Sequence, residues 1–310
     1  MKRFKNILLL LDPEVKVSAA LDKAVSLATR NGARITLFSV LKPPSGLLGY
    51  SESVAQSQLT SAITERREWL RGLTLSLAHD NIELEIEVVE GIPFLEIIRR
   101  VLREQHDLVI TTAEQKKGIR ERLFGTTSMH LIRKCPCPVW VVKRAQTKPF
   151  SRILAAVDPS VYDPQRDSLN PLILQLASSM ARTEAAELHV VHVWHLFGED
   201  YVRNRDMIKT VESAKLIEKD QHKKYFDTLL GNSNITDLKP HLHLLEGEPD
   251  ERIPDLAMEQ GIDLLVMGSV CRSGVAGFLI GNTAEEVLNQ VDCSVLTLKP
   301  DGFVTPVTLE

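Results

Sequence analysis

The sequence predicts an α/β protein of two tandem doubly wound domains. Each is a five-stranded parallel sheet with helices on both faces, and a pseudo-two-fold axis relates them. Three observations predict this. The chain repeats itself: Gly125-Thr-Thr-Ser-Met-His opens a phrase that closes one half at Lys143, and Gly281-Asn-Thr-Ala-Glu-Glu opens one that closes the other at Lys299. Asp107-Leu-Val-Ile and Asp263-Leu-Leu-Val keep the same offset, as do Glu90-Gly91-Ile-Pro93 and Glu246-Gly247-Glu-Pro249. A period of domain length marks a fused pair. Short apolar runs alternate with amphipathic stretches, the signature of βαβ units. Most of those runs are continuous rather than alternating, as strands covered on both faces should be.

The elements follow in order. The first copy opens on Lys5-Asn-Ile-Leu-Leu-Leu-Leu-Asp12-Pro13 and the second on Ser151-Arg-Ile-Leu-Ala-Ala-Val-Asp158-Pro159. These openings are closer together than the other repeats, so the second copy carries a later insertion. Strands are predicted over 5–11, 34–40, 82–89, 108–112 and 139–143, then over 152–157, 188–194, 241–245, 264–268 and 295–299. The run Ile82-Glu-Leu-Glu-Ile-Glu-Val alternates, which suits an outer strand with one wet face. Leu59, Ile63, Leu70, Leu73 and Leu77 form one helical stripe. Pro93 and Pro249 stand where a first helical turn tolerates proline. Residues 42–53 and 162–170 read as long loops, and 144–150 as a linker between domains at 1–145 and 150–310.

Composition narrows the function. Of 310 residues, 44% are hydrophobic and 25% charged, values that allow a substantial core in each copy. A net charge of −4 gives no nucleic-acid footprint. Ile7 to Leu11 is too short for a signal sequence, no run reaches membrane-spanning length, and four cysteines are too few for a disulfide framework. A cytoplasmic protein without membrane or nucleic-acid partners is expected.

An open α/β sheet binds ligands beyond the carboxyl ends of its strands, where strand order reverses. There the first strand ends in Asp12 or Asp158, and the fourth runs into loops at 113–124 or 269–280. The second loop carries Gly268, Ser269, Cys271, Arg272 and Gly274 before Gly281, Asn282 and Thr283 open a helix. Glycine lets backbone approach phosphate, and a helix N-terminus attracts anions. Asp158 could accept hydrogen bonds from a ribose or base edge. Asn282, followed by Glu285, also reads as an N-cap that stabilises the helix without ligand. The first loop keeps only Gly118 and Gly125, with Glu114 where phosphate would approach, so that copy is expected to bind no nucleotide.

These pieces resemble the universal stress protein superfamily, whose members have a first strand ending in Asp and a Gly-x2-Gly-x9-Gly-Ser/Thr phosphate loop after the fourth strand. The resemblance covers almost the whole chain and is similar to tandem members. It implies a non-catalytic stress-response role, with ATP or AMP as the small-molecule ligand of the second domain. Gly268 and Gly281 match the loop, whereas Cys271 replaces its second glycine and Asn282 its Ser/Thr. It also implies that the last strands pair the two domains, with homodimerisation beyond that.

Other constellations are weaker. His189, His192, His195, His241 and His243 fall on two predicted strands or their exits; His241 and His243 share one face, and a neighbouring strand could supply a third metal ligand. No tight zinc signature is present, and solvated or hydrogen-bonded histidines without metal are expected. Cys135-Pro-Cys137 lacks the spacing of a redox pair and reads as packing before a buried strand. No catalytic constellation is recognisable, so turnover beyond weak ATP hydrolysis is not expected. The alternatives are a slow ATPase, or a sensor of an apolar or amphipathic metabolite using the Ser45-Gly-Leu-Leu-Gly-Tyr50 segment.

Overall fold

The computed structural model describes residues 3–13, 18–42, 52–75, 82–113, 124–143, 148–159, 164–196, 208–269 and 280–309. They divide into two compact units. One holds the described residues up to Lys143 together with those from Phe303 onward, and the other those between Lys148 and Gly302.

The first unit comprises β1 (Asn6–Leu10), α1 (Ser18–Asn31), β2 (Arg34–Leu41), α2 (Glu52–Leu75), β3 (Leu84–Glu90), α3 (Pro93–Glu104), β4 (Leu108–Thr112), α4 (Thr126–Lys134) and β5 (Val139–Val142). Its sheet order is β3-β2-β1-β4-β5, every pair parallel. Right-handed crossovers put α1 and α2 on one face and α3 and α4, which touch, on the other. Ile7, Leu8 and Leu9 of β1 and Leu108, Val109 and Ile110 of β4 are completely buried, hence their continuous apolar sequence. The alternating β3 is the outer strand, with exposed Glu85, Glu87 half-buried against Arg100, and Val88 buried. On α3, Ile97, Ile98 and Val101 are buried. Each contributes about 1.5–3 kcal/mol relative to an exposed side chain.

The second unit repeats the plan: β6 (Arg152–Ala156), α5 (Pro164–Glu184), β7 (Glu187–Trp194), α6 (Ile208–Gly231), a 3₁₀ turn (Thr236–Leu238), β8 (His241–Glu246), α7 (Pro249–Glu259), β9 (Leu264–Gly268), α8 (Asn282–Gln290) and β10 (Ser294–Leu298). The order β10-β9-β6-β7-β8 is again parallel throughout and leaves β8 at an edge. The predicted α/β class and five parallel strands per copy are therefore what forms. Among the described residues no helix is long and apolar enough to cross a membrane.

The repeated Glu-Gly-x-Pro phrase now has a cause. Gly91 and Gly247 adopt φ of +150° and +131°, and Pro93 and Pro249 occupy the first turn of α3 and α7. A Cβ on Gly91 would lie 2.7 Å from Glu96 Cγ. Gly91→Ala is expected to destabilise the first unit by about 1–2 kcal/mol, read as a lowered urea midpoint.

One expectation is corrected. Residues 164–170 of the supposed loop form the start of α5, although Pro171 sits inside the helix. Proline there removes a backbone donor, which argues locally against a helix. Packing of α5 on β6, β7 and β9 overrides that local preference. Residues 43–51 of the other expected loop, and Leu77 of the α2 stripe, lie outside the described residues.

Candidate functional site

The second sheet winds away in opposite directions from β6 and β9, which lie side by side, Ile153 against Leu264 and Ala155 against Val266. Their carboxyl ends form the switch point where doubly wound sheets take ligands. Half-buried Asp158 follows β6, Gly268 ends β9 and Ser269 follows it. The Asp158 N–H donates to Asn170 Oδ1 at 2.9 Å, and Asn170 Nδ2 donates to the Asp158 carbonyl at 3.0 Å. Asn170, 4% exposed on α5, thus clamps the strand tip by its main chain. Nothing in the chain marks this role beforehand, because a loop was expected there.

Gly268 faces α5, with Leu169 Cδ2 2.6 Å from where a Cβ would be. Ser269 is fully buried; its N–H and hydroxyl both donate to the Leu298 carbonyl, and its own carbonyl accepts from Gly281 N–H at 3.2 Å. The start of α8 is thereby tied to the end of β9. Asp158, Gly268, Ser269, Gly281, Asn282 and Thr283 belong to these linked segments, while Cys271, Arg272 and Gly274 lie outside the described residues.

The expected Asn282 cap is corrected. Gly281 is the N-cap, with no side-chain cap hydrogen bond, because its carbonyl already accepts from Glu285 N–H at 2.9 Å. Asn282 is then the first helical residue. Asn282 and Thr283 are exposed, so the helix opens on backbone N–H groups next to surface side chains.

Behind the tip of β6 runs a histidine relay. His192 Nδ1 is 3.3 Å from the Val157 carbonyl, and its Nε2 is 2.7 Å from His222 Nδ1 on α6. With Nδ1–H of His192 donating to Val157, His222 donates to His192 and turns its Nε2 toward Glu218 Oε1 at 3.5 Å. Burial holds His222 below the ordinary imidazole range, while the charges of Glu218 and Asp158 pull it back up. His222 was missed because nothing in its helix marks it.

His189 occupies the opposite face of β7, since residues alternate along a strand. Register sets His189 beside His241, with ring centroids 4.7 Å apart, and His189 Nδ1 is 3.1 Å from His243 Nε2. In the first unit Cys135 and Cys137 are free thiols with sulfurs 3.5 Å apart. The bond to Cys135 and burial push the Cys137 thiol up, away from reactive thiolate.

Comparison with known proteins extends the pattern. The universal stress protein family matches residues 3–143 and again 149–299. Universal stress protein E of Salmonella typhi is 32% identical over all of this chain and 99% of its own length. Its counterpart in Escherichia coli K12 is 30% identical over all of this chain and 98% of its own. A crystal structure of a functionally unknown Pseudomonas aeruginosa protein is 25% identical, covers 97% of this chain and 95% of that one, and superposes with a TM-score of 0.70. The two sequence halves that repeat each other match one family twice over: the chain belongs to the universal stress protein family.

Proposed function

We propose that the second unit binds an adenine nucleotide, ATP or AMP, and that the protein acts as a ligand-responsive rather than catalytic member of its family. The start of α8 carries this reading: a helix N-terminus capped by glycine backbone alone, tied through Ser269 to β9 at the switch point that also holds Asp158. Oriented N–H groups and the helix dipole favour phosphate there. Gly268, Cys271, Arg272 and Gly274 are assigned to the same cradle, and Asp158 to the ribose or base edge. The first unit, with Thr112 in place of the first loop glycine, is assigned no nucleotide. The free thiols of Cys135 and Cys137 suit the reducing cytoplasm in which we place the protein.

Calorimetric titration of the full chain with ATP and with AMP is expected to reveal one saturable site. Asp158→Ala should weaken it at least about tenfold. The clamp from Asn170 holds main chain rather than the carboxylate, so this variant should unfold like the parent. Absence of heat up to millimolar nucleotide rejects the proposal. Native mass spectrometry of protein purified without added ligand checks it independently: a retained lipid-like mass would point to the amphipathic-metabolite alternative.

A further inference from the structure

We propose that Glu187, His189 and His241 bind one divalent cation of the zinc class at the amino ends of β7 and β8, with His243 orienting the central imidazole. This is the end of the strands away from Asp158 and α8. Ligand atoms of the three residues lie within 4.8 Å of one another. His189 is the anchor. It is 2% exposed, and its Nε2 is buried without a hydrogen-bond partner among the described residues. A bare buried nitrogen is normally costly, by about 1–3 kcal/mol. Glu187 Oε2, 3.9 Å from that nitrogen, is too far for a hydrogen bond but stands where a second ligand would.

The other ring nitrogen is already engaged. With a metal on Nε2, His189 Nδ1 keeps its proton and donates to His243 Nε2 at 3.1 Å. Such an outer hydrogen bond fixes the tautomer and ring orientation of a metal-bound histidine. Tetrahedral zinc, with bonds of about 2.0–2.1 Å, holds its ligands about 3.3 Å apart. Exposed Glu187 and His241 therefore swing inward by an ångström or so, while His189 stays packed. Arg152 works against the cation. Its Nε is 3.0 Å from Glu187 Oε2 and its Nη1 donates to the Gln260 carbonyl. That same Oε2 has a further lone pair, so it can stay with Arg152 and still face the metal. Two imidazoles and one carboxylate leave a fourth position for water or an anionic ligand.

The test uses the full chain, stripped of metal with a chelator and titrated at neutral pH with Zn²⁺ by calorimetry and with Co²⁺ by visible absorption. One equivalent should bind with the intense d–d bands of a tetrahedral nitrogen and oxygen site. The exposed pair Glu187→Ala and His241→Ala, combined, should lose that equivalent or weaken it at least about a hundredfold, and His243→Ala about 10–100-fold. Circular dichroism confirms that the variants stay folded. The proposal fails if the double variant binds with unchanged stoichiometry and affinity, if the Co²⁺ bands are those of thiolate ligation alone, or if the parent takes up no metal at millimolar concentration.

Discussion

Acidification from pH 6.5 to pH 4 is expected to remove about 3 kcal/mol of stability from the first unit through His106 alone. His106 joins α3 to β4 and is 4% exposed. Its Nε2 lies 3.1 Å from Thr36 Oγ1, whose hydroxyl donates in turn toward Glu85 Oε2 at 3.3 Å. Nε2–H therefore donates to Thr36, and Nδ1 is buried as well. A second proton would place a cation there, and burial, followed by the nearby Arg100 charge, lowers the pKa from 6.5 to about 4. The unfolded chain thus takes up the proton before the folded one. Stability from this group is complete above about 6.5, declines as pH falls through the window, and levels off below about 4.

Glu87 and Asp107 act in the opposite sense. Burial raises both carboxyls, so the folded state binds their protons more readily than the unfolded chain and gains relative stability as pH falls. The parent curve therefore mixes signs, and the informative quantity is the difference between parent and His106→Gln, which keeps a donor for Thr36. Urea unfolding across this pH range, with amide exchange in β2 and β4 to isolate the first unit, should show a clearly flatter profile in the variant. Parallel profiles would mean that His106 does not titrate as its surroundings dictate.

Replacing Asn170 by Leu should destabilise the second unit by about 2–4 kcal/mol. Leucine keeps the branching at Cγ but is bulkier, so the loss combines the missing hydrogen bonds with some overpacking and leaves no cavity. Two bonds vanish together, the one received from Asp158 N–H and the one given to the Asp158 carbonyl. Each contributes about 1 kcal/mol net, and removing their shared partner adds the cost of poorly satisfied backbone groups. Asn170→Asp keeps the acceptor, loses the donor and brings a second carboxylate near Asp158, so it should be as harmful at neutral pH. Amide exchange in β6 and β7 measures the effect directly. A loss below about 0.5 kcal/mol would show that the clamp is dispensable. Paired with Asp158→Ala, the series separates two roles of one strand tip: Asn170 variants lose stability, and the Asp158 variant loses ligand while keeping its fold.

The architecture was legible because it rests on local patterns. Continuous apolar runs such as Ile7–Leu9 and Leu108–Ile110 declare strands buried on both faces, and the duplicated phrases declare two copies. The region of Asp158 and Gly281 could also be foreseen, since strand order and glycine placement determine where a doubly wound sheet opens.

What needed the tertiary structure was everything set by partners distant in the chain. The residues from Pro164 to Asn170 belong to α5, a helix packed on β6, β7 and β9, although Pro171 argues locally against a helix. The cap of α8 falls on Gly281 rather than Asn282 because the glycine, its N–H donated to the Ser269 carbonyl, receives the first helical bond on its own carbonyl. Glu187 and His189 share a face of β7, and pairing with β8 brings His241 beside them; a one-residue shift of β8 would turn His241 to the other face. By itself the sequence determined which segments are buried and how often the plan repeats. Hydrogen bonding and packing between remote segments decided which polar side chains meet, because burial periodicity is encoded residue by residue whereas register exists only once two strands have paired.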